Sequence, residues 1–173
     1  MSHRLRVVPV IVLALGAVAA VPSRLQAQRA VFVTRRAERA DGGMAGQTKD
    51  PDLSIAGRDR AERLAALLAG AGVTAVYATE YRRTVQTVEP LARRLGVSVQ
   101  QVPASDTQAL IARIRAASPT DVIVVAGHSN TVPDILEGLG HPDQVTIADG
   151  EYDNLFVLVP RPAGPPVVLR LSY

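Results

Sequence analysis

Apolar positions along the chain follow two alternating patterns, which predict an alternation of strands and helices. Short runs rich in Val, Ile and Ala, bounded by polar or turn residues, are typical of β-strands. Between these runs apolar residues recur three and four positions apart, as at Ala61, Leu64, Ala65 and Leu68, which is the period of an amphipathic helix. Strands are predicted at residues 30–34, 73–78, 97–102, 121–127, 154–159 and 166–171. Helices are predicted around residues 61–68, 85–95 with a kink at Pro90, 110–117 and 131–139.

The fourth predicted strand indicates the type of sheet. Its sequence, DVIVVAG at residues 121–127, is apolar with little interruption, which is typical of a strand buried on both faces of a parallel sheet. Together with the alternation of strands and helices, it predicts an α/β fold: a three-layer α/β/α sandwich with a mostly parallel central sheet. Ligands of such sheets bind beyond the carboxyl ends of the strands, so functional residues are expected just after the strands.

The first 27 residues have the pattern of a secretory signal sequence. Two arginines precede an apolar run at residues 7–21, and small residues follow it. That run is shorter than the roughly 20 residues that span a bilayer, which argues against the alternative of a permanent membrane anchor. Cleavage after Ala27 is preferred over cleavage after Ala19. The sequence therefore predicts a signal peptide at 1–27 and a single domain at 28–173. The protein is expected to be exported to the periplasm or the cell exterior, with no stable membrane anchor after cleavage.

Removal of this segment changes the charge balance. The whole chain has a formal net charge of +3, but residues 1–27 hold three arginines and no acidic residue, so residues 28–173 carry 16 basic and 16 acidic side chains. With no basic excess and few aromatic residues, a nucleic-acid partner is not expected. The chain has no cysteine, which excludes disulfides, thiolate metal sites and a cysteine nucleophile. Beyond the signal only His128 and His141 remain, so no metal or other cofactor is predicted.

Charged and polar residues gather just after three of the predicted strands. They are Arg35, Arg36 and Glu38 after the first strand, Thr79 and Arg83 after the second, and His128, Ser129 and Asn130 after the fourth. The planar guanidinium of arginine suits phosphate oxygens, and helix N-termini add backbone N–H donors. The convergence of these strand-end residues on one edge of the sheet predicts an anion site that is best suited to a phosphoryl group. Taken singly, an arginine at a strand end is usually a solvated surface residue. Glu38 is as compatible with an ion pair to a nearby arginine as with a role in the chemistry.

Three segments at these strand ends resemble the histidine phosphatase superfamily, also called phosphoglycerate mutase-like. They are Thr34-Arg35-Arg36-Ala37-Glu38, Arg83-Thr84-Val85-Gln86-Thr87 and Gly127-His128-Ser129-Asn130-Thr131. The resemblance implies a phosphoglycerate mutase-like fold and metal-independent hydrolysis of phosphate monoesters through a phosphohistidine, acting on a phosphorylated small molecule or phosphoprotein. In the family, arginines and a second histidine hold the phosphoryl oxygens, and a carboxylic acid protonates the leaving group.

Carried over by residue, the resemblance assigns phosphate binding to Arg35, Arg83 and His128, with Glu38, Thr79 and Asn130 in support. The leaving-group acid has no clear match. Asp106 is the first candidate for it, and Glu80, Glu151 and Asp153 are the others.

Position 36 departs from the family pattern, because Arg36 stands where the nucleophilic histidine is expected. A guanidinium stays protonated and has no free lone pair with which to attack phosphorus. Catalysis by the family route is therefore expected to be impaired. Three explanations stay open: a pseudoenzyme that binds a phosphorylated ligand, His128 as a different nucleophile, or a residue changed from histidine by one base. A third function is a serine hydrolase using Ser129, since Gly127-His128-Ser129 resembles part of a nucleophile elbow, although Thr131 stands where the elbow has glycine.

Overall fold

The computed structural model describes residues 30–41 and 50–173, and the predicted signal sequence lies outside them. Six strands form one sheet: β1 (Ala30–Arg35), β2 (Ala75–Thr79), β3 (Val99–Val102), β4 (Val122–Gly127), β5 (Asn154–Val159) and β6 (Val167–Ser172). Four helices lie between them: α1 (Ile55–Leu68), α2 (Arg82–Leu95), α3 (Thr107–Ala116) and α4 (Thr131–Gly138). No helix in the described ranges is long and apolar enough to cross a lipid bilayer.

The strand order in the sheet is β3-β2-β4-β1-β5-β6. The pairs β3 with β2, β2 with β4 and β4 with β1 are parallel, whereas β5 runs antiparallel to both β1 and β6. The predicted mostly parallel sheet is therefore confirmed. Since β4 lies between β2 and β1, the carboxyl ends of these three strands are neighbours on one edge of the sheet.

Helices cover both faces of this sheet, which confirms the three-layer sandwich. On one face, side chains of α1 and α2 such as Leu64 and Leu91 pack with Val124 of β4. On the other face, α3 and α4 pack with the alternate β4 residues, including Val125. Residues Ile123 to Ala126 are all at most 1% exposed. This burial of both faces explains the continuous apolar run in the sequence.

Two local features differ from the sequence prediction. The third strand begins at Val99 rather than residue 97, because Gly96 ends α2 in the left-handed conformation, with φ of 68°, and the Val97 amide donates back to the Ala92 carbonyl. Helix α2 also begins at Arg82 rather than residue 85 and continues through Pro90, where the kink stays a prediction. Pro90 is buried there, so its ring takes part in the packing of the helix.

Candidate phosphoryl-binding site

A cavity of about 280 Å³ opens beyond the carboxyl ends of β1, β2 and β4. Its lining residues are Arg36, Tyr81, Arg83, Ala104, His128, Ser129, Asn130 and Thr131. The structure therefore brings together residues from all three strand ends that the sequence singled out.

Arg36 enters the cavity from the end of β1. Its backbone amide donates to the Gly127 carbonyl at 2.8 Å, which continues the pairing of β1 with β4 by one residue. The side chain is only 9% exposed. Its Nη1 donates to the Ala37 carbonyl at 3.1 Å, while its Nε is buried without a hydrogen-bond partner. The guanidinium is thus largely removed from water and incompletely satisfied by protein.

Arg83 enters from the first turn of α2, opposite Arg36. Its guanidinium stacks over the Tyr81 ring at 4.5 Å, and its Nη1 lies 3.3 Å from the Asp50 carboxylate. The Arg83 Nε is also buried without a partner. Burial, followed by the nearby charge of Arg36, lowers the pKa of Arg83. Two desolvated cations therefore face one small cavity.

His128 lies between these arginines and β2. Its ring Nε2 is 2.9 Å from the Thr79 hydroxyl, and the Tyr81 ring contacts it edge to face at a centroid distance of 5.3 Å. Burial, together with the charges of Arg83 and Arg36, lowers the pKa of His128 to about 4. The imidazole is therefore neutral near pH 7 and contributes hydrogen bonding rather than charge.

Arg35, the neighbour of Arg36, does not line the cavity. Its Nη1 donates to the backbone carbonyls of Ala148, Asp149 and Glu151 at 2.7, 2.9 and 3.0 Å. Its guanidinium also lies 4.3 Å from the centre of the Tyr152 ring. The Arg35 Nε is buried without a hydrogen-bond partner, as is that of Arg36, and the Arg36 guanidinium lies 5.5 Å from the centre of the same Tyr152 ring. The structure thus gives Arg35 an anchoring contact with the loop before β5 beside Arg36, and the direct phosphate contact that the resemblance implies stays a prediction.

Glu38 forms an ion pair, one of the two alternatives left open by the sequence. Both of its carboxylate oxygens accept from Arg60, at 2.7 to 3.0 Å. Arg60 also donates to the Tyr173 carbonyl at 3.0 Å. Bonding to Arg60 holds the pKa of Glu38 below its usual value, although burial opposes this. Glu38 therefore supports the loop after β1 from outside the cavity.

The four carboxylates considered as leaving-group acids occupy different environments. Asp106 caps α3, with its Oδ1 accepting from the Ala109 amide at 3.0 Å, so the geometry gives no support to its predicted role. Glu151 pairs with Arg170. Glu80 accepts from the amide of Ala104, a cavity-lining residue, at 2.7 Å, and its charge acts on His128. Asp153 does not line the cavity. Glu80 is therefore the best placed of the four.

Side chains of α2 connect the loops of the site through hydrogen bonds, a role that the sequence analysis did not predict. The Thr87 hydroxyl accepts from the Ala37 amide at 2.9 Å and donates to the Arg83 carbonyl at 2.8 Å. One turn of helix thereby fixes both arginine-bearing segments. Gln86 similarly accepts from the Leu53 amide at 2.9 Å. The spacing of Arg83, Gln86 and Thr87 on one helix was visible in the sequence, but their partners were not.

Other candidate sites lack comparable support. Ser129 lines the cavity, but the hydrogen bond that the structure gives the adjacent His128 ring goes to Thr79 rather than to Ser129. His141 lies elsewhere, in a separate cavity beside α4. Within residues 30–41 and 50–173, no three His, Asp or Glu side chains are grouped so that they could hold a metal ion.

A sequence model of the histidine phosphatase superfamily (branch 1) matches residues 33–106, from β1 to the residue that caps α3. The matched segment of the chain is therefore similar to the histidine phosphatase superfamily. It contains Arg35, Arg36 and Arg83, and His128 follows it. No curated protein sequence is significantly similar to the chain.

Solved structures of low sequence identity share the fold of this chain. The protein histidine phosphatase SixA complexed with tungstate superposes with a TM-score of 0.68 at 18% identity, over 83% of this chain and 96% of that chain. A mycobacterial glucosyl-3-phosphoglycerate phosphatase gives a TM-score of 0.64 at 14% identity, over 84% of this chain and 98% of that chain. Its complex with VO3 gives 0.63 at the same identity and coverage.

Proposed function

We propose that this protein binds the phosphoryl group of a phosphorylated small molecule or phosphoprotein, without a metal ion, in the cavity of Arg36, Arg83 and His128. One observation carries the proposal: the guanidinium groups of Arg36 and Arg83 line one cavity with His128, and the Nε atom of each is buried without a hydrogen-bond partner, as is that of the adjacent Arg35. Unpaired buried donors on charged groups are costly. A phosphoryl group would supply acceptor oxygens and negative charge to both.

Catalysis by the family route is impaired in this proposal. The phosphohistidine mechanism needs a lone pair where Arg36 stands, and a guanidinium offers only donors. The remaining groups can orient a phosphate ester and stabilise negative charge, but attack must then come from water. We therefore propose a phosphatase-like binding site with low monoesterase activity, and a purely binding protein as its limiting case.

Binding is tested by titrating purified residues 28–173 with inorganic phosphate, vanadate and tungstate in a calorimeter and in thermal unfolding. Ligand at a hundred times its dissociation constant should add about 2.7 kcal/mol to the free energy of unfolding. Arg83→Met should weaken binding at least tenfold, since it removes a cavity-lining cation. Arg82→Met is the matched control, because the neighbouring Arg82 side chain is 62% exposed and pairs with Asp52 outside the cavity.

Two results would contradict this function. One is an unaltered protein that binds none of the three oxyanions. The other is equal loss of binding in Arg82→Met and Arg83→Met, which would indicate attraction by general surface charge rather than by the cavity.

Export belongs to the same proposal. It is supported by the arginines and the apolar run that precede the small residues near Ala27. Mass spectrometry of the protein from its own host should find a chain that begins near Gln28, in the periplasm or the medium. A cytoplasmic chain that retains Met1 would contradict it.

A further inference from the structure

Asp50 accepts hydrogen bonds from groups next to the cavity. It belongs neither to the three segments that resemble the family nor to the candidates for the leaving-group acid. Both of its carboxylate oxygens accept from the Arg82 amide, at 3.1 and 3.0 Å, at the start of α2. Its Oδ1 also lies 3.3 Å from Nη1 of Arg83. The Asp50 carboxylate therefore already contacts Arg83, one of the two arginines that line the cavity.

This contact places a negative charge beside the position proposed for the phosphoryl group. The Arg83 side chain is 12% exposed and that of Asp50 is 33% exposed, so solvent screens the pair only in part. A phosphoryl oxygen that approached Arg83 would compete with Asp50 for the same guanidinium and would be repelled by its charge. Arg36, on the opposite side, has no carboxylate partner in any described ion pair.

We propose that Asp50 is a specificity-determining residue that weakens the binding of small free oxyanions by acting as an internal competitor at Arg83. This inference rests on the proposed function. It follows that a ligand must offset the competition, either through the greater charge of a phosphoryl dianion or through contacts made by the rest of its structure. Free inorganic anions lack such additional contacts.

Asp52 offers a matched comparison on the same segment. It pairs with Arg82 at 2.7 Å and accepts from Gln86 at 2.8 Å, but the Arg82 side chain is 62% exposed and lies outside the cavity lining. Asp50 and Asp52 thus carry the same charge two residues apart, and only Asp50 contacts a cavity-lining cation. A long-range effect of net charge would make their substitutions equivalent, whereas direct competition would separate them.

The experiment measures the dissociation constant of inorganic phosphate, with tungstate as a second probe, for the unaltered protein, Asp50→Asn and Asp52→Asn. Removing one charge near Arg83 should tighten binding about tenfold in Asp50→Asn, while Asp52→Asn should change it less than twofold. Asp50→Ser is a second variant, because serine removes the charge with a smaller side chain that lacks the amide donors of asparagine. The gain should disappear when Asp50→Asn is combined with Arg83→Met.

The outcomes separate this inference from the function on which it rests. If the unaltered protein binds phosphate and the folded Asp50 variants bind it equally or more weakly, the inference is overturned and the proposed function stands. An equal gain in Asp52→Asn also overturns it, since the effect would then be one of net charge. If no protein in the series binds phosphate or tungstate, the proposed function fails and the inference fails with it.

Discussion

Arg36 and Arg83 are like charges that approach one cavity with their Nε atoms buried and unpartnered. Such an arrangement opposes folding, because each cation loses water without a full set of protein acceptors. A bound oxyanion would relieve both the desolvation and the repulsion. At the scale of single residues, the proposed anion binding would therefore come at some expense of the stability of the empty protein.

Placing a histidine at position 36 tests what Arg36 does. Arg36→His should raise the rate of 4-nitrophenyl phosphate hydrolysis by about a hundredfold or more, because loss of a nucleophile of this kind can cost several powers of ten. An acid-labile phosphoenzyme should form in that variant and not in the unaltered chain. Rapid turnover of the unaltered chain through phosphorylated His128 would show that Arg36 is not disabling. An inert Arg36→His that still binds phosphate would show that the family mechanism does not apply here.

Arg35 is predicted to matter through stability. Arg35→Met would leave the carbonyls of Ala148, Asp149 and Glu151 without their shared donor in a position that is 3% exposed. We expect a loss of about 2 kcal/mol or more in the free energy of unfolding, measured by urea titration. Arg83→Met should instead lower phosphate affinity with a smaller loss of stability. An Arg35→Met protein that is fully stable but no longer binds phosphate would indicate that Arg35 contacts the ligand directly.

At the scale of elements, α1 supports the segment that carries Arg36. Ser54 caps α1 through the Gly57 amide, and the Ser54 amide donates to the Glu38 carbonyl at 2.9 Å. Gly57 allows this close packing, because a Cβ there would meet the Glu38 carbonyl oxygen at 2.3 Å. The start of one helix is therefore fitted directly against the backbone that follows β1.

Gly57→Ala tests this fit with two opposing effects. Alanine is favoured over glycine inside a helix by about 1 kcal/mol, so a position without contacts would become more stable. Here the added methyl would meet backbone rather than a flexible side chain, and we expect a net loss of about 2 kcal/mol together with weaker phosphate binding. Gly70→Ala is the control, since a Cβ there has no neighbour within 4 Å. Stabilisation by Gly57→Ala would contradict the packing described for α1.

The sequence predicts the elements of this fold better than the contacts at the site. The apolar run of β4 and the helical spacing of Ala61, Leu64, Ala65 and Leu68 in α1 depend on nearby residues, and both are found in the structure. Arg35 and Asp50 depend on segments distant in sequence, the loop before β5 and the start of α2. No local pattern encodes such partners.

At the scale of the whole molecule, the strand order determines which residues meet. Because β4 separates β1 from β2 in the sheet, His128 after β4 lies between Arg36 after β1 and the Thr79 and Arg83 groups at the end of β2 and the start of α2. Burial of this central position explains why the His128 imidazole is neutral in the folded protein. Folding at low pH therefore requires a protonated His128 to lose its proton. The acid stability of the entire domain is linked to the site in this way.

The pH dependence of unfolding measures that linkage. The pKa of His128 is lowered to about 4 in the folded protein, against about 6.5 when unfolded. Below pH 6.5 the unfolded chain takes up a proton that the folded chain does not, so this contribution to stability is complete above pH 6.5 and lost as the pH falls towards 4. The loss amounts to at most about 3 kcal/mol.

Urea titrations from pH 7.5 to 4.5 should show a smaller decline in His128→Gln than in the unaltered protein. Parallel declines in the two proteins would mean that His128 is not kept neutral by the fold.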